Sequence, residues 1–356
     1  MEKALVAMSG GVDSAVAALL IKNSGYDAIG VTMRLWNGSA DLPDSNFCEP
    51  DDNAAEAKKT ADILGIPHIT TALGESFRRH VVDSFISAYR CGLTPNPCVE
   101  CNKYIKFGSL FSLADSMGIP YLVTGHYARI EKEANGEFSL RRARDINKDQ
   151  SYFLWVIEKK RLANILFPLG NYEKSEIRAI ASDNGFTNAS RSDSQDICFI
   201  PDGDYVSFIQ TRAGKDKSFK SGYFIDMQGN KLGRHEGIVR YTIGQRKGLG
   251  IALGKPAFVA DKDISANTVT LCSDRELYKT ELSASRINLL VNESFERPVR
   301  VEAKIRYRHT PAVASVIRTG EDSLSLVFDE PQRAIAKGQS LVLYDGDRVL
   351  GGGIIN

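Results

Sequence analysis

Short apolar runs alternate with amphipathic stretches over the first 130 residues. Residues 4–8 (ALVAM) form one apolar run, closed by a glycine pair, and Ser14 to Asn23 then carries a helical pattern. Residues 28–36 read as a second strand, 52–65 as a helix ended by Gly65, and 68–72 as a third strand. Helical patterns over 76–90 and 102–117 lead to 121–130, which reads as another strand. Strand and helix in alternation predict a doubly wound parallel sheet, an α/β fold.

The texture then changes. Gly-rich and charged residues at 131–150 mark a break, and a helical pattern follows at 172–184. After about residue 204 the strands shorten and no long helical period follows residue 212. Alternating strands are expected at 299–309, 312–318, 324–328 and 340–355, with Asp345-Gly346 as a hairpin signal. The division expected is an α/β domain at 1–203, a small central domain at 204–275 and a C-terminal β-barrel (or sandwich) domain at 276–356. In 299–308 the even positions include Arg300, Lys304, Arg306 and Arg308, and the odd ones are Val299, Val301, Ala303, Ile305 and Tyr307. On a strand this sets a cationic face against an apolar one.

Composition narrows the class. Across 356 residues, 43% are hydrophobic and 25% charged, which suits a globular protein of more than one domain. No apolar stretch reaches membrane-spanning length and the start carries no secretory signature, so a cytoplasmic protein without a membrane partner is expected. A net charge of +1 leaves nucleic-acid binding to local basic stripes such as 299–308 or Arg141, Arg142 and Arg144. Six cysteines are too sparse for a disulfide scaffold and point to catalysis or metal binding.

The first turn carries chemistry. Ser9-Gly10-Gly11-Val12-Asp13-Ser14 lies between a strand and a helix, where open backbone N–H groups and the helix terminus suit a phosphate. No lysine of the Walker type is present, and a carboxylate such as Asp13 beside phosphates suggests help in holding Mg²⁺.

Asn96-Pro97 suits an N-cap and first helical position, which places Cys98 and Cys101 on one face of the first turns. A helix start favours thiolate. On spacing alone the pair equally fits a redox couple, half of a metal site or two packed thiols. Cys198, between Ile197 and Phe199, reads alone as a packing residue; beside a loop that resembles the PP-loop of ATP pyrophosphatases, and so implies AMP transfer, it becomes a candidate nucleophile.

The stretches SGGVDS (9–14), TPNPCVECNKYIKF (94–107), TGHYAR (124–129), NKDQSYFL (147–154), DSQDICFI (193–200), YTIGQRKGLGI (241–251), FDEPQRA (328–334) and LGGGII (350–355) occur in this order. Together they resemble the tRNA-specific 2-thiouridylases, a family of PP-loop ATP pyrophosphatases, over essentially the whole chain.

That resemblance implies thiolation at C2 of the wobble uridine in tRNAs for Lys, Glu and Gln, after ATP adenylates the C2 oxygen. It implies ATP contacts at Ala7, Met8, Ser9, Gly10, Gly11, Val12, Asp13, Ser14, Met33 and Gly125, and the target base at Asn96, Pro97 and Cys98. It implies tRNA contacts at His126, Lys148, Asp149, Gln150, Arg306, Tyr307 and Gln339. Cys198 would receive sulfur as a persulfide from a cysteine desulfurase or sulfur-relay protein, with Cys101 as the second catalytic cysteine. Many members carry Asp where this chain has Cys98, so that thiol is an accessory sulfur handler or joins the other two around an iron–sulfur cluster.

Overall fold

The computed structural model describes residues 1–35, 50–188, 197–200, 202–214 and 216–356. Strands β1 (Lys3–Ala7), β2 (Asp27–Arg34), β3 (His68–Ala72) and β4 (Tyr121–Val123) are all parallel. β5 (Ala128–Lys132) and β6 (Phe138–Arg142) form a hairpin, and β7 (Ile165–Leu166) completes the parallel sheet in the order β3-β2-β1-β4-β7. The doubly wound sheet is therefore present. Ala4 and Val6 pack on one side with Val16 and Ala57, while Leu5 belongs to a separate core with Val31 and Leu110. Alternation along β1 has assigned its residues to two layers.

One expected strand is two. The run 121–130 leaves the parallel sheet after Val123, crosses Thr124–Tyr127 without strand pairing, and resumes as β5. Apolar residues on both sides hid the break, because periodicity does not report a change of sheet.

A middle unit contains β8 (Gly222–Ile225), β9 (Lys231–His235), β10 (Phe258–Asp263) and β11 (Thr268–Cys272), in the order β10-β11-β8-β9. The last six strands are β12 (Tyr278–Leu289), β13 (Val299–Lys304), β14 (Ala312–Gly320), β15 (Ser323–Arg333), β16 (Ser340–Asp345) and β17 (Arg348–Ile355). They run β12-β15-β14-β13-β16-β17, and β17 pairs back on β12, so the sheet closes into a six-stranded antiparallel barrel rather than a sandwich. The β16–β17 hairpin forms where expected, with Gly346 (φ 58°) and Asp347 as the two turn residues.

Two basic features differ from expectation. β13 keeps the alternation only to Lys304; the chain bends at 305–308, with the His309 N–H donating to the Arg306 carbonyl. Arg306 and Arg308 therefore leave the strand face. The Arg141–Arg144 cluster is occupied by protein carboxylates. Arg141 pairs with Glu133 (2.8 Å) and Asp347 (2.6 Å), Arg142 with Glu302 (3.7 Å), and Arg144 with Glu176 (3.4 Å). Through Asp347 and Glu302 the pairs of Arg141 and Arg142 hold the β5–β6 hairpin onto the barrel.

A shared core makes the barrel part of the site's foundation. Val342, Tyr344 and Val349 of the barrel pack in the same cluster as Val99, Phe107 and Trp155. Gly352 is needed there, since a Cβ at that position would lie 2.4 Å from the Leu341 carbonyl oxygen and 2.9 Å from the Trp155 ring. Gly352→Ala is expected to destabilise the fold by about 1–3 kcal/mol through overpacking. Urea unfolding followed by tryptophan fluorescence would read this as a lower midpoint, and an unchanged midpoint would show that Trp155 has room to move.

Candidate functional site

The phosphate loop follows β1. Gly10 adopts φ 76°, a conformation L side chains rarely take, with Asn53 backbone pressed against it. The helix Val12–Asn23 starts from Gly11 with no side-chain cap, which leaves its first-turn N–H groups for a ligand. Met8 and Val12 have buried side chains and offer only backbone, and Ala7 ends β1. The hydroxyl of Ser14 donates to the Gly11 carbonyl (2.9 Å) and accepts from the Ser9 N–H (3.1 Å), so it shapes the loop. Met33, at the end of β2, packs against both the sheet core and the core beneath the cysteines.

Asp13 is held by protein groups. Lys174 donates to both carboxylate oxygens (2.7 and 2.9 Å) and the Tyr127 hydroxyl donates to one (2.9 Å). Lys174 is 8% exposed, its ammonium lies 5.7 Å from the Tyr127 ring centre, and its N–H donates to Asp145 (3.1 Å). Sequence reasoning passed over this lysine, because nothing in the pattern at 172–184 links it to residue 13. Among the described residues no group of three or more His, Cys, Asp or Glu is placed to hold a metal ion. The expectation of a metal role for Asp13 thus loses its first premise, since a lysine already balances the charge. A cluster on Cys98, Cys101 and Cys198 likewise finds no support.

The segment Thr124–Tyr127 touches three parts of the site. Gly125 lies against the Asp13–Ser14 peptide, where a Cβ would come within 3.0–3.1 Å of backbone. Tyr127 reaches Asp13. His126 is buried between Phe107 and Phe167, with Nδ1 2.7 Å from the Thr124 hydroxyl and Nε2 3.3 Å from the Lys106 ammonium. Burial, reinforced by Lys106, holds the His126 pKa well below its ordinary value, so the ring is neutral. The Gln150 side chain accepts from the Tyr127 N–H (3.0 Å), and its backbone N–H donates to the Tyr127 carbonyl (2.8 Å).

The CxxC helix starts as read from sequence. Asn96 caps it, accepting from the Cys98 N–H (3.2 Å), and Pro97 takes the first turn. The helix Pro97–Glu100 then runs into a π-helical segment, Cys101–Ser109. Cys98 is exposed and Cys101 half-buried. Burial pushes both thiols up and Lys106 pulls both down, so the net direction opposes the lowering expected from a helix start. Cys98 is open at its own surface while protein crowds it. Surface decides what reaches that sulfur, and crowding decides the direction of its pKa.

Cys198 reverses the packing expectation. Phe199 and Ile200 are buried, and Phe199 makes edge-to-face contacts with Phe77 and Phe85 at ring-centre distances of 5.7 and 5.5 Å. Cys198 itself is exposed. Its neighbours anchor in the cluster that also contains Cys101 and Ile105, so segments 97 positions apart share one foundation. Asp193 to Asp196, and Cys48, lie outside the described residues.

The expected tRNA contacts divide into two groups. Gln339 holds the cysteine loop, donating from its side chain to the carbonyls of Thr94 (2.9 Å) and Pro95 (3.4 Å). Asp149 is buried and accepts from the Ala143 and Ser151 N–H groups (3.1 Å each), which makes it a brace for 143–151. At the barrel corner, Tyr307 stacks near Phe153 (4.5 Å) and senses both Lys148 and Arg308. Burial lowers the pKa values of Lys304, Arg306 and His309; Arg142 adds to this at Lys304 against the stronger pull of Asp149, Arg333 adds to it at Arg306, and Arg306 and Lys304 add to it at His309 against its bond to Gln332. The corner thus gathers several cations around the carboxylate of Asp149.

A glycine loop opening on an uncapped helix, on a parallel sheet that also carries paired thiols, defines an α/β nucleotide-activating domain joined to a β-barrel. The family model described as the tRNA methyl transferase HUP domain matches residues 2–202. Models for its PRC-barrel domain and for an aminomethyltransferase β-barrel domain match 207–273 and 279–355. The chain is 46% identical to the tRNA-specific 2-thiouridylase MnmA of Clostridioides difficile, over 99% of this chain and 98% of that one. It is 45% identical to the enzyme of that name from Treponema denticola, covering 99% and 97%. The chain belongs to the tRNA-specific 2-thiouridylase family.

Removing Asp13 takes the carboxylate from a nearly buried ammonium. Asp13→Ala is expected to lose about 1–3 kcal/mol of stability, and adding Lys174→Met should recover most of it. Denaturant unfolding of the two single variants and the double variant gives the coupling directly. Purely additive losses would mean the pair is not a unit.

Proposed function

We propose that this chain thiolates C2 of the wobble uridine in tRNAs for Lys, Glu and Gln, in the cytoplasm, using ATP to activate the C2 oxygen. The observation that carries the reading is an exposed Cys198 whose neighbours Phe199 and Ile200 share a core with Cys101, on a domain that begins with a phosphate loop. Ser9 to Ser14 would receive the ATP phosphates, with Ala7, Met8, Met33 and Gly125 beside the nucleotide. Mg²⁺ would enter with the nucleotide, since this ion keeps waters and phosphates and needs only one or two carboxylates.

The thiols then have distinct parts. Cys198 would take sulfur as a persulfide from a cysteine desulfurase or relay protein. The outer sulfur bonds to C2 as the C2–O bond breaks, and AMP leaves with the electron pair. Cys101 next attacks the Cys198 sulfur, the S–S bond opens toward C2, and a Cys101–Cys198 disulfide remains for a dithiol to reduce. Cys98, beside Asn96 and Pro97 at the target base, serves as an accessory thiol. The basic corner at Lys304, Arg306, Tyr307 and Lys148 would take the tRNA backbone, while Asp149, Gln150, Gln339 and His126 hold its surroundings.

Nucleoside mass spectrometry of tRNA from a deletion strain tests the whole reading. Loss of 2-thiouridine supports it. Normal 2-thiouridine with a missing methylated nucleoside would instead favour the methyl transferase of the matching model's description.

Cys198→Ser is expected to abolish thiolation while ATP-dependent pyrophosphate release persists. Cys98→Asp restores the commoner family residue and is expected to keep activity with a changed pH optimum. Thiolation assays beside iron and sulfide analysis of anaerobically purified protein would decide the alternative, because a stoichiometric cluster lost with activity would sink the persulfide route.

Replacing Lys304 and Arg306 together is expected to weaken tRNA binding and flatten its dependence on log salt by at most about two units. Filter binding over a salt series provides the slope, and an unchanged slope would remove the corner from the interface.

A further inference from the structure

Lys106 differs from the other buried cation of the site. Lys174 has its carboxylate in Asp13. Lys106 is half-buried, and among the described residues the side chain within hydrogen-bonding distance of its ammonium is the neutral ring of His126. For Nε2 to accept from an ammonium, Nδ1 must carry the ring proton and donate it to the Thr124 hydroxyl, 2.7 Å away. The rings of Phe107 and Phe167, each 5.8 Å from His126, fix that imidazole. The lysine is thus held in place by a partner that leaves its charge uncompensated.

Its charge reaches sulfur. Lys106 follows Cys101 by five residues in the π-helical segment Cys101–Ser109, and five is the hydrogen-bond repeat of a π-helix. Its charge acts on both Cys98 and Cys101, and the ionisable groups that act on Cys101 are Lys106 and Cys98. A half-buried, uncompensated ammonium beside two thiols is a site prepared for negative charge.

We propose that Lys106, fixed by neutral His126, is the supporting cation of the sulfur-transfer step and stabilises anionic sulfur at Cys101. The inference rests on the thiolation reading and adds a residue to it. Cys101 loses its proton to solvent, and its thiolate attacks the Cys198 sulfur that still bears the transferred atom. The S–S bond breaks with its electron pair passing to the sulfur on C2, and a dithiol later reduces the new disulfide. Lys106 exchanges no proton or electron; it lowers the cost of the thiolate.

The test compares wild type, Lys106→Met and Lys106→Arg in three measurements. Iodoacetamide alkylation of Cys101 at pH 7.5, followed by peptide mass spectrometry, should slow about tenfold in the methionine variant, since loss of a nearby cation raises a thiol pKa by about one unit or more. Single-turnover thiolation should fall at least as much, while pyrophosphate release stays within about twofold of wild type. Arginine should recover most of both losses. Unchanged alkylation and thiolation in Lys106→Met would overturn the proposal, and so would an equal loss of pyrophosphate release, which would assign the lysine to the nucleotide. If wild type itself makes no 2-thiouridine, the thiolation reading falls, yet the alkylation comparison still judges the charge at Cys101.

Discussion

The pairing of Gln150 with Tyr127 fixes the segment on which the rest of the site depends. Between β4 and β5 the chain passes from the parallel sheet toward the barrel, and Thr124–Tyr127 must do so without a ladder to satisfy its backbone. The two hydrogen bonds to Gln150 supply that anchor. Once it is fixed, Gly125 backs the phosphate loop, Tyr127 steadies Asp13, and His126 holds the ammonium of Lys106. Moving this segment would disturb nucleotide and sulfur ends together, which a catalyst that must join them in sequence can use.

The second anchor comes from the barrel. Gln339 and the Lys337 carbonyl hold Thr94 and Pro95, the residues just before the Asn96 cap. A loop bearing Pro at two positions has few N–H groups of its own to pair, so outside donors and acceptors set its position. The barrel therefore positions the CxxC helix besides presenting a basic corner. Residues expected to touch tRNA serve the fold here as well, and the two duties are compatible where a side chain has more than one donor.

Legibility in the sequence followed the range of each signal. The phosphate loop, the Asn96-Pro97 cap and the terminal hairpin are local, decided by backbone needs of a few residues, and each was readable. Strand alternation announced an all-β tail and left barrel or sandwich open, a choice made by the distant pairing of β17 with β12. What escaped notice required distant partners. Lys174 meets Asp13 across 161 positions, and Lys106 owes its meaning to His126. The π-helical segment was hidden too, because its apolar spacing differs little from an ordinary helix over nine residues. Arg141 looked like a phosphate ligand until Glu133 and Asp347 were found around it. A run of cations in sequence says nothing of the carboxylates the fold will supply.

The distribution of exposure among the thiols constrains the order of events. On the proposed persulfide route sulfur arrives from another molecule, so its acceptor has to lie at the surface. Cys198 does, and burial of Phe199 and Ile200 holds it there without burying the sulfur. A resolving thiol, the part proposed for Cys101, has the opposite need. If it were an open thiolate it would capture the incoming sulfur or an oxidant first. Cys101 is half-buried with its pKa raised, which keeps it protonated and slow until the substrate is engaged. Such a thiol then requires a nearby cation when its turn comes, and the lysine one π-turn further along the same helix meets that requirement. On that route the raised pKa and the uncompensated ammonium would form one device, in which shelter prevents early chemistry and charge permits the late step.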